Sequence, residues 1–65
     1  MKVKIKKIHE SWSILYPNEI KVGYVVDLNG HTITTKSGID FSADEMCKAF
    51  SNHCSYMDIF EKIEL

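Results

Sequence analysis

Cys47, His53 and Cys54 crowd into one short segment, and with His31 or His9 as a fourth donor they come nearest to a metal-ligand set in this chain. Zinc sites usually draw their ligands in pairs roughly two to four residues apart, on a turn or knuckle. Here the close pair is adjacent, and Cys47 precedes His53 along a segment that reads as helix, so neither a metal nor another cofactor is expected. The same cysteines beside a histidine raise the question of a thiol nucleophile, which needs a low-pKa, accessible thiolate. An apolar helix face supplies the opposite environment. Asp40 with Asp44, or Asp58 with Glu61, could be paired carboxylates for acid–base work, but solvated surface charge accounts for both. A chain of 65 residues has little volume for both a core and a pocket of about 300 Å³ or more. The expectation is a protein that is not an enzyme.

The element that carries the cysteines announces itself at Ser42-Ala43-Asp44-Glu45. Ser42 and Glu45 have the identities of a capping box, each able to satisfy a backbone N–H at a helix start. Ala43, Met46, Cys47, Phe50 and Cys54 then recur at i, i+3, i+4, i+7 and i+11, one face of one helix over about residues 43–53. Met46, Cys47 and Phe50 are expected to be buried. On a continuous helix the two cysteines are about two turns, or ~10 Å, apart. A disulfide needs Cα atoms within about 7 Å, so buried reduced thiols are expected.

The rest of the chain reads as strands. Val3 and Ile5 alternate with lysines over residues 2–9, with Ile8 out of step and a bulge expected near Lys6-Lys7. Residues 10–19 are irregular, ending in the turn chemistry of Tyr16-Pro17-Asn18-Glu19. Ile20, Val22, Tyr24, Val26 and Leu28 mark one face of a strand over residues 20–28. Asn29-Gly30 follows as a type I′ hairpin signal, returning through a strand at 31–36. Ser37-Gly38 turns the chain into Ile39-Asp40-Phe41. The tail, 56–65, fits either period, and strand is preferred on electrostatic grounds. Lys2, Lys4, Lys6 and Lys7 at one terminus complement Asp58, Glu61 and Glu64 at the other, and opposite charges favour antiparallel pairing.

Composition excludes several function classes. No apolar run approaches the roughly 20 residues of a membrane span, and the lysine-interrupted N-terminus lacks the continuous apolar stretch of a signal peptide. The expected location is cytoplasmic, with no membrane partner. The net charge is −1, with eight lysines and no arginine. Polyanion binders usually show a basic excess, and arginine supplies the bidentate fork that reads guanine and phosphate. Lys2, Lys4, Lys6 and Lys7 could still line a nucleic-acid backbone. Their plainer use is to protect a strand edge from aggregation or to pair with the acidic tail.

The run Ile20-Lys21-Val22-Gly23-Tyr24-Val25-Val26, a hairpin, then Thr32-Ile33-Thr34-Thr35-Lys36-Ser37-Gly38 and a short strand ending at Phe41 resembles the small five-stranded barrels of the Src-homology-3-like (SH3-like) and KOW class. The resemblance covers residues 1–41 and the tail. It departs at 42–54, where a full helix stands in place of the usual single helical turn before the last strand. It implies one α+β domain over residues 1–65, a small antiparallel β-barrel-like sheet of about five strands with one helix before the last. The exposed aromatic cluster of a proline-rich-peptide groove is missing. The small lysine-rich format is also similar to accessory proteins of bacteriophages and mobile elements, which bind a host protein and modulate or inhibit it.

These readings converge on a protein-binding module. Its expected contact residues are Trp12, Leu15, Tyr16 and Pro17, with Asn29 and Gly30 at the hairpin tip, since aromatic residues on loops anchor interfaces. Trp12 fits equally well as a plug at the end of the barrel. The alternatives are a nucleic-acid-binding barrel using the lysine edge with Trp12 or Tyr16 for stacking, and a self-assembling subunit, a homo-oligomer whose edges are completed by its neighbours.

Overall fold

Alternation places Val3 and Ile5 inward and the lysines outward along β1 (Lys2–Ile5), in a computed structural model that describes residues 1–63. The chain then forms α1 (Glu10–Leu15), β2 (Val25–Asn29), β3 (Thr32–Thr34), β4 (Asp40–Ser42), α2 (Ala43–Lys48), α3 (Tyr56–Ile59) and β5 (Phe60–Lys62). The strands lie in the order β4-β3-β2-β1-β5 and every neighbouring pair is antiparallel. The molecule is α+β with a five-stranded sheet. That sheet is open: among the described residues no ladder joins β4 to β5, so the expected closure into a barrel is corrected.

Directly opposed residues share a face, and the register makes that face apolar. Val3 pairs with Val26, Leu28 with Ile33, Ile33 with Phe41, and Ile5 with Phe60. Ala43, Met46, Cys47 and Ile59 complete the core from the helices, and Ile20 from the connection before β2. Burying each of the larger side chains stabilises the fold by about 1.5–3 kcal/mol. The opposite face carries Lys2, Lys4, Asp27, Thr34 and Asp40, and remains in water.

The tail lies beside the first strand, as its charges suggest: Lys4 is opposite Glu61, with Nζ 3.8 Å from Oε2. Both periods read from the tail are present in succession, one turn of helix and then the strand. Asp58 accepts a hydrogen bond from the Ser55 N–H at 2.9 Å, fixing the start of α3. Glu64 and Leu65, counted in the predicted tail strand, lie outside the described residues.

Four local expectations are corrected. The strand read over 20–28 begins only at Val25, because Gly23 takes φ +95° and Tyr24 N–H closes a turn on the Lys21 carbonyl at 3.0 Å. Val22 and Tyr24 are thereby exposed. The hairpin pairs Asn29 with Thr32, so its loop is Gly30-His31 with positive φ at Gly30 alone. That is the requirement of a II′ turn, one residue along from the expected I′ turn. The irregular segment 10–19 contains α1, whose start is capped by the His9 Nδ1 accepting from Ser11 N–H at 3.2 Å. Histidine is not among the preferred caps.

The fourth correction concerns the helix over 43–53. Ser42 does cap it, its Oγ accepting from Glu45 N–H at 3.2 Å. The helix ends at Lys48, however, and the N–H groups of Phe50 and Ser51 both turn back to the Cys47 carbonyl. Ser51 Oγ then accepts from His53 N–H at 3.0 Å, reversing the chain. Cys47 and Cys54 are joined in a disulfide with their Cα atoms 5.6 Å apart. They are not the reduced thiols expected, since a continuous helix was the only thing holding them apart. Met46 and Cys47 are buried as expected, but Phe50 is 41% exposed.

Candidate functional site

α1 packs on Phe41 of β4 without burying any residue completely, because six residues make under two turns, and Trp12 is its one residue that packs, partly buried, against the core. The Trp12 ring meets Phe41 edge-on at 6.0 Å, and Tyr16, just past the helix, meets Phe41 at 4.7 Å. Trp12 and Tyr16 lie 5.8 Å from each other. Offset and edge-to-face contacts of this kind fix ring orientation. The aromatic triangle therefore anchors α1 to β4, and Trp12 is partly a plug and partly a surface residue.

The outward side of α1 is apolar as well. Ile14 and Leu15 are both 68% exposed. Pro17 ends the segment and forms, with Ile8, Ser13, Ile20, Lys21 and Val22, a shallow cleft of about 240 Å³. Val22 is exposed at its rim. Ile14 and Leu15 thus lie exposed on a helix held at Phe41, near a cleft of mixed polar and apolar lining. Ile14 and Val22 were missed at the sequence level because a six-residue helix has too few turns for a moment, and Val22 was assigned to a strand.

Trp12, Leu15, Tyr16 and Pro17 are thus brought together. Asn29 and Gly30 belong to a different neighbourhood, at the exposed β2–β3 turn. Their neighbour His31 is tied to the helices: its carbonyl accepts from Ala43 N–H at 2.8 Å. The Tyr56 hydroxyl donates to an Asp44 carboxylate oxygen and accepts from His31 Nδ1 at 2.7 Å. The second Asp44 oxygen lies 3.6 Å from the same nitrogen. Partial burial, then the hydrogen bond to Asp44, then the charge of that carboxylate push the Tyr56 pKa up to about 12. No residue-type pattern signals this cluster, since its members are separated along the chain and meet only through the hairpin.

The lysine row is largely engaged. Lys2 bonds Asp27 at 3.4 Å, Lys4 faces Glu61, and Lys6 Nζ donates to the Met57 carbonyl at 3.1 Å. The carboxylates considered for catalysis are likewise dispersed. Asp40 accepts from Thr34 Oγ1 at 2.7 Å, Asp44 from Tyr56, and Asp58 from the backbone of Ser55. His9 caps α1 and stacks edge-on against Phe50 at 5.5 Å. No cluster of three or more His, Cys, Asp or Glu side chains among the described residues could hold a metal. A broader cleft of about 630 Å³ opens over the solvated sheet face, with Lys2, Asp27, Lys36 and Glu19 in its walls. No helix among the described residues is long and apolar enough to cross a membrane. Neither a family model, nor a curated protein, nor a solved structure matches the chain.

Proposed function

We propose that this chain is a non-enzymatic protein-binding module that presents α1 and the turn after it to another protein. The observation that carries the reading is the exposure of Ile14 and Leu15, 68% each, on a helix whose aromatic residues are fixed to Phe41. Small anchors held rigidly bind without a large ordering cost, which is how compact interfaces reach useful affinity. Trp12 and Tyr16 supply the floor, Leu15 and Pro17 the contact, and the Pro17–Val22 cleft a receptor for one partner side chain. Asn29 and Gly30 form a second, separate contact at the hairpin tip.

The finer fold reading belongs with this proposal. A five-stranded antiparallel sheet with a single helical turn, α3, directly before the last strand supports the Src-homology-3-like assignment. The format supports an accessory protein of the bacteriophage or mobile-element kind, cytoplasmic, acting by binding and modulating or inhibiting a host protein.

The test is paired capture with wild-type and Leu15→Asp protein. A partner retained by the wild type and lost by the variant, with the melting curve unchanged and nuclease without effect, supports the reading. Retention by Leu15→Asp with loss in Lys4→Glu/Lys6→Glu would replace it with the nucleic-acid alternative or an acidic partner.

A further inference from the structure

We propose that the Cys47–Cys54 pair is a redox-controlled helix switch: closed, it stops α2 at Lys48; opened, it lets α2 run on to about His53. The sequence of 42–54 is written for the longer helix. Ser42 caps it, and Ala43, Met46 and Cys47, the first three positions of its apolar stripe, are 0–3% exposed. Phe50 is the next position of that stripe, yet it is 41% exposed and rests on the edge of His9. Between Lys48 and Cys54 there is neither proline nor glycine to break a helix. What ends α2 is the cross-link, which holds two Cα atoms 5.6 Å apart where a helix would separate them by ~10 Å.

Opening the pair is thiol–disulfide exchange with an external dithiol. A thiolate of the dithiol bonds to Cys54 Sγ, the more accessible sulfur, and the Sγ–Sγ bond breaks. Its electron pair leaves on Cys47, which takes up a proton. The second thiolate of the dithiol then displaces Cys54, which is protonated in turn. Two electrons and two protons are transferred, and the dithiol is left as a cyclic disulfide. In a thiol-rich compartment the open state is favoured; in an oxidising one, the closed state.

The change reaches beyond α2. Lengthening the 47–54 separation by roughly 5 Å must be absorbed by Cys54-Ser55, the short link before α3. Tyr56 opens α3, and its hydroxyl joins Asp44 on α2 to His31 at the hairpin tip. Reduction therefore loosens that cluster and frees the tip; it also takes Phe50 from the edge of His9, the cap of α1, while the far end of α1 stays seated on Phe41.

Backbone NMR of the full chain, oxidised and then reduced with excess dithiothreitol, tests this. Helical carbon shifts and sequential amide contacts are expected to end at Lys48 in the oxidised protein. In the reduced protein they extend through about His53, far-UV ellipticity deepens, and reoxidation reverses both. Cys47→Ser/Cys54→Ser reproduces the reduced pattern, and Asn52→Gly shortens the extension in the reduced form alone. Residues 49–53 keeping their oxidised shifts after reduction would overturn the proposal. So would loss of shift dispersion throughout the chain, which would make the disulfide a staple of the fold.

Discussion

The ring of Tyr16 lies 4.7 Å from that of Phe41, edge to face, across the gap between the end of α1 and β4. This contact separates residues that hold α1 from residues that α1 offers. Tyr16→Ala is expected to cost stability beyond its lost area by about 0.5–1.5 kcal/mol, whereas Leu15→Ala changes it by no more than about 0.5 kcal/mol. Urea denaturation of the two variants checks the contrast, and equal losses would place Leu15 in the core instead.

Across the sheet, Lys4 and Glu61 pair strand to strand with both side chains half exposed. Lys4→Glu should destabilise by a few tenths of a kcal/mol, and Lys4→Glu/Glu61→Lys should restore it. A double-mutant cycle in low salt measures the coupling, and it should shrink as salt screens the charges.

The raised Tyr56 pKa has a definite sign. The folded state favours the protonated phenol, so its contribution to stability is complete below the unfolded pKa near 10 and disappears as pH rises through about 12. Melting curves over pH 9–12 should fall more steeply for the wild type than for Tyr56→Phe. Asp44→Asn should move the phenol titration, followed by ultraviolet absorbance, toward its ordinary value.

Gly30 adopts φ +61° at the first position of the hairpin loop, with open space where a Cβ would be. Backbone strain alone then sets the effect of Gly30→Ala, about 1–2 kcal/mol, and Gly30→Asn should cost less. A chemical denaturation series reads both.

Where apolar alternation met a hard turn signal, the fold was legible. β1, the β2–β3 hairpin and the pairing of the termini follow from Val3, Ile5, Gly30 and the Lys4–Glu61 charges. Where a helix is short, periodicity has too few residues to register, and α1 escaped notice behind an unusual histidine cap. Val22 looked like strand because its alternation with Ile20 and Tyr24 is interrupted only by the conformation of Gly23. The helix expected over 43–53 forms only at Ala43–Lys48, and the Cys47–Cys54 cross-link that a continuous helix would forbid is present. Phe50 accordingly sits outside the core, and Phe50→Ala in the oxidised protein should cost well under the about 3–5 kcal/mol of a buried phenylalanine. Of the expected contact residues, Trp12, Leu15, Tyr16 and Pro17 share α1 and the turn after it, as their closeness in the chain suggests. Their separation from Asn29 and Gly30 was not legible, since it depends on which elements the hairpin tip meets.

The most direct test of the binding surface is titration of wild-type, Leu15→Asp and Lys4→Glu/Lys6→Glu protein against a captured partner, at low and at moderate salt. The account predicts that Leu15→Asp weakens binding at least about tenfold, the effect of roughly 1.4 kcal/mol, at unchanged Tm. It also predicts that the lysine variant and the salt change each alter affinity only slightly. Binding that survives Leu15→Asp but falls steeply with salt and with loss of Lys4 and Lys6 would contradict it.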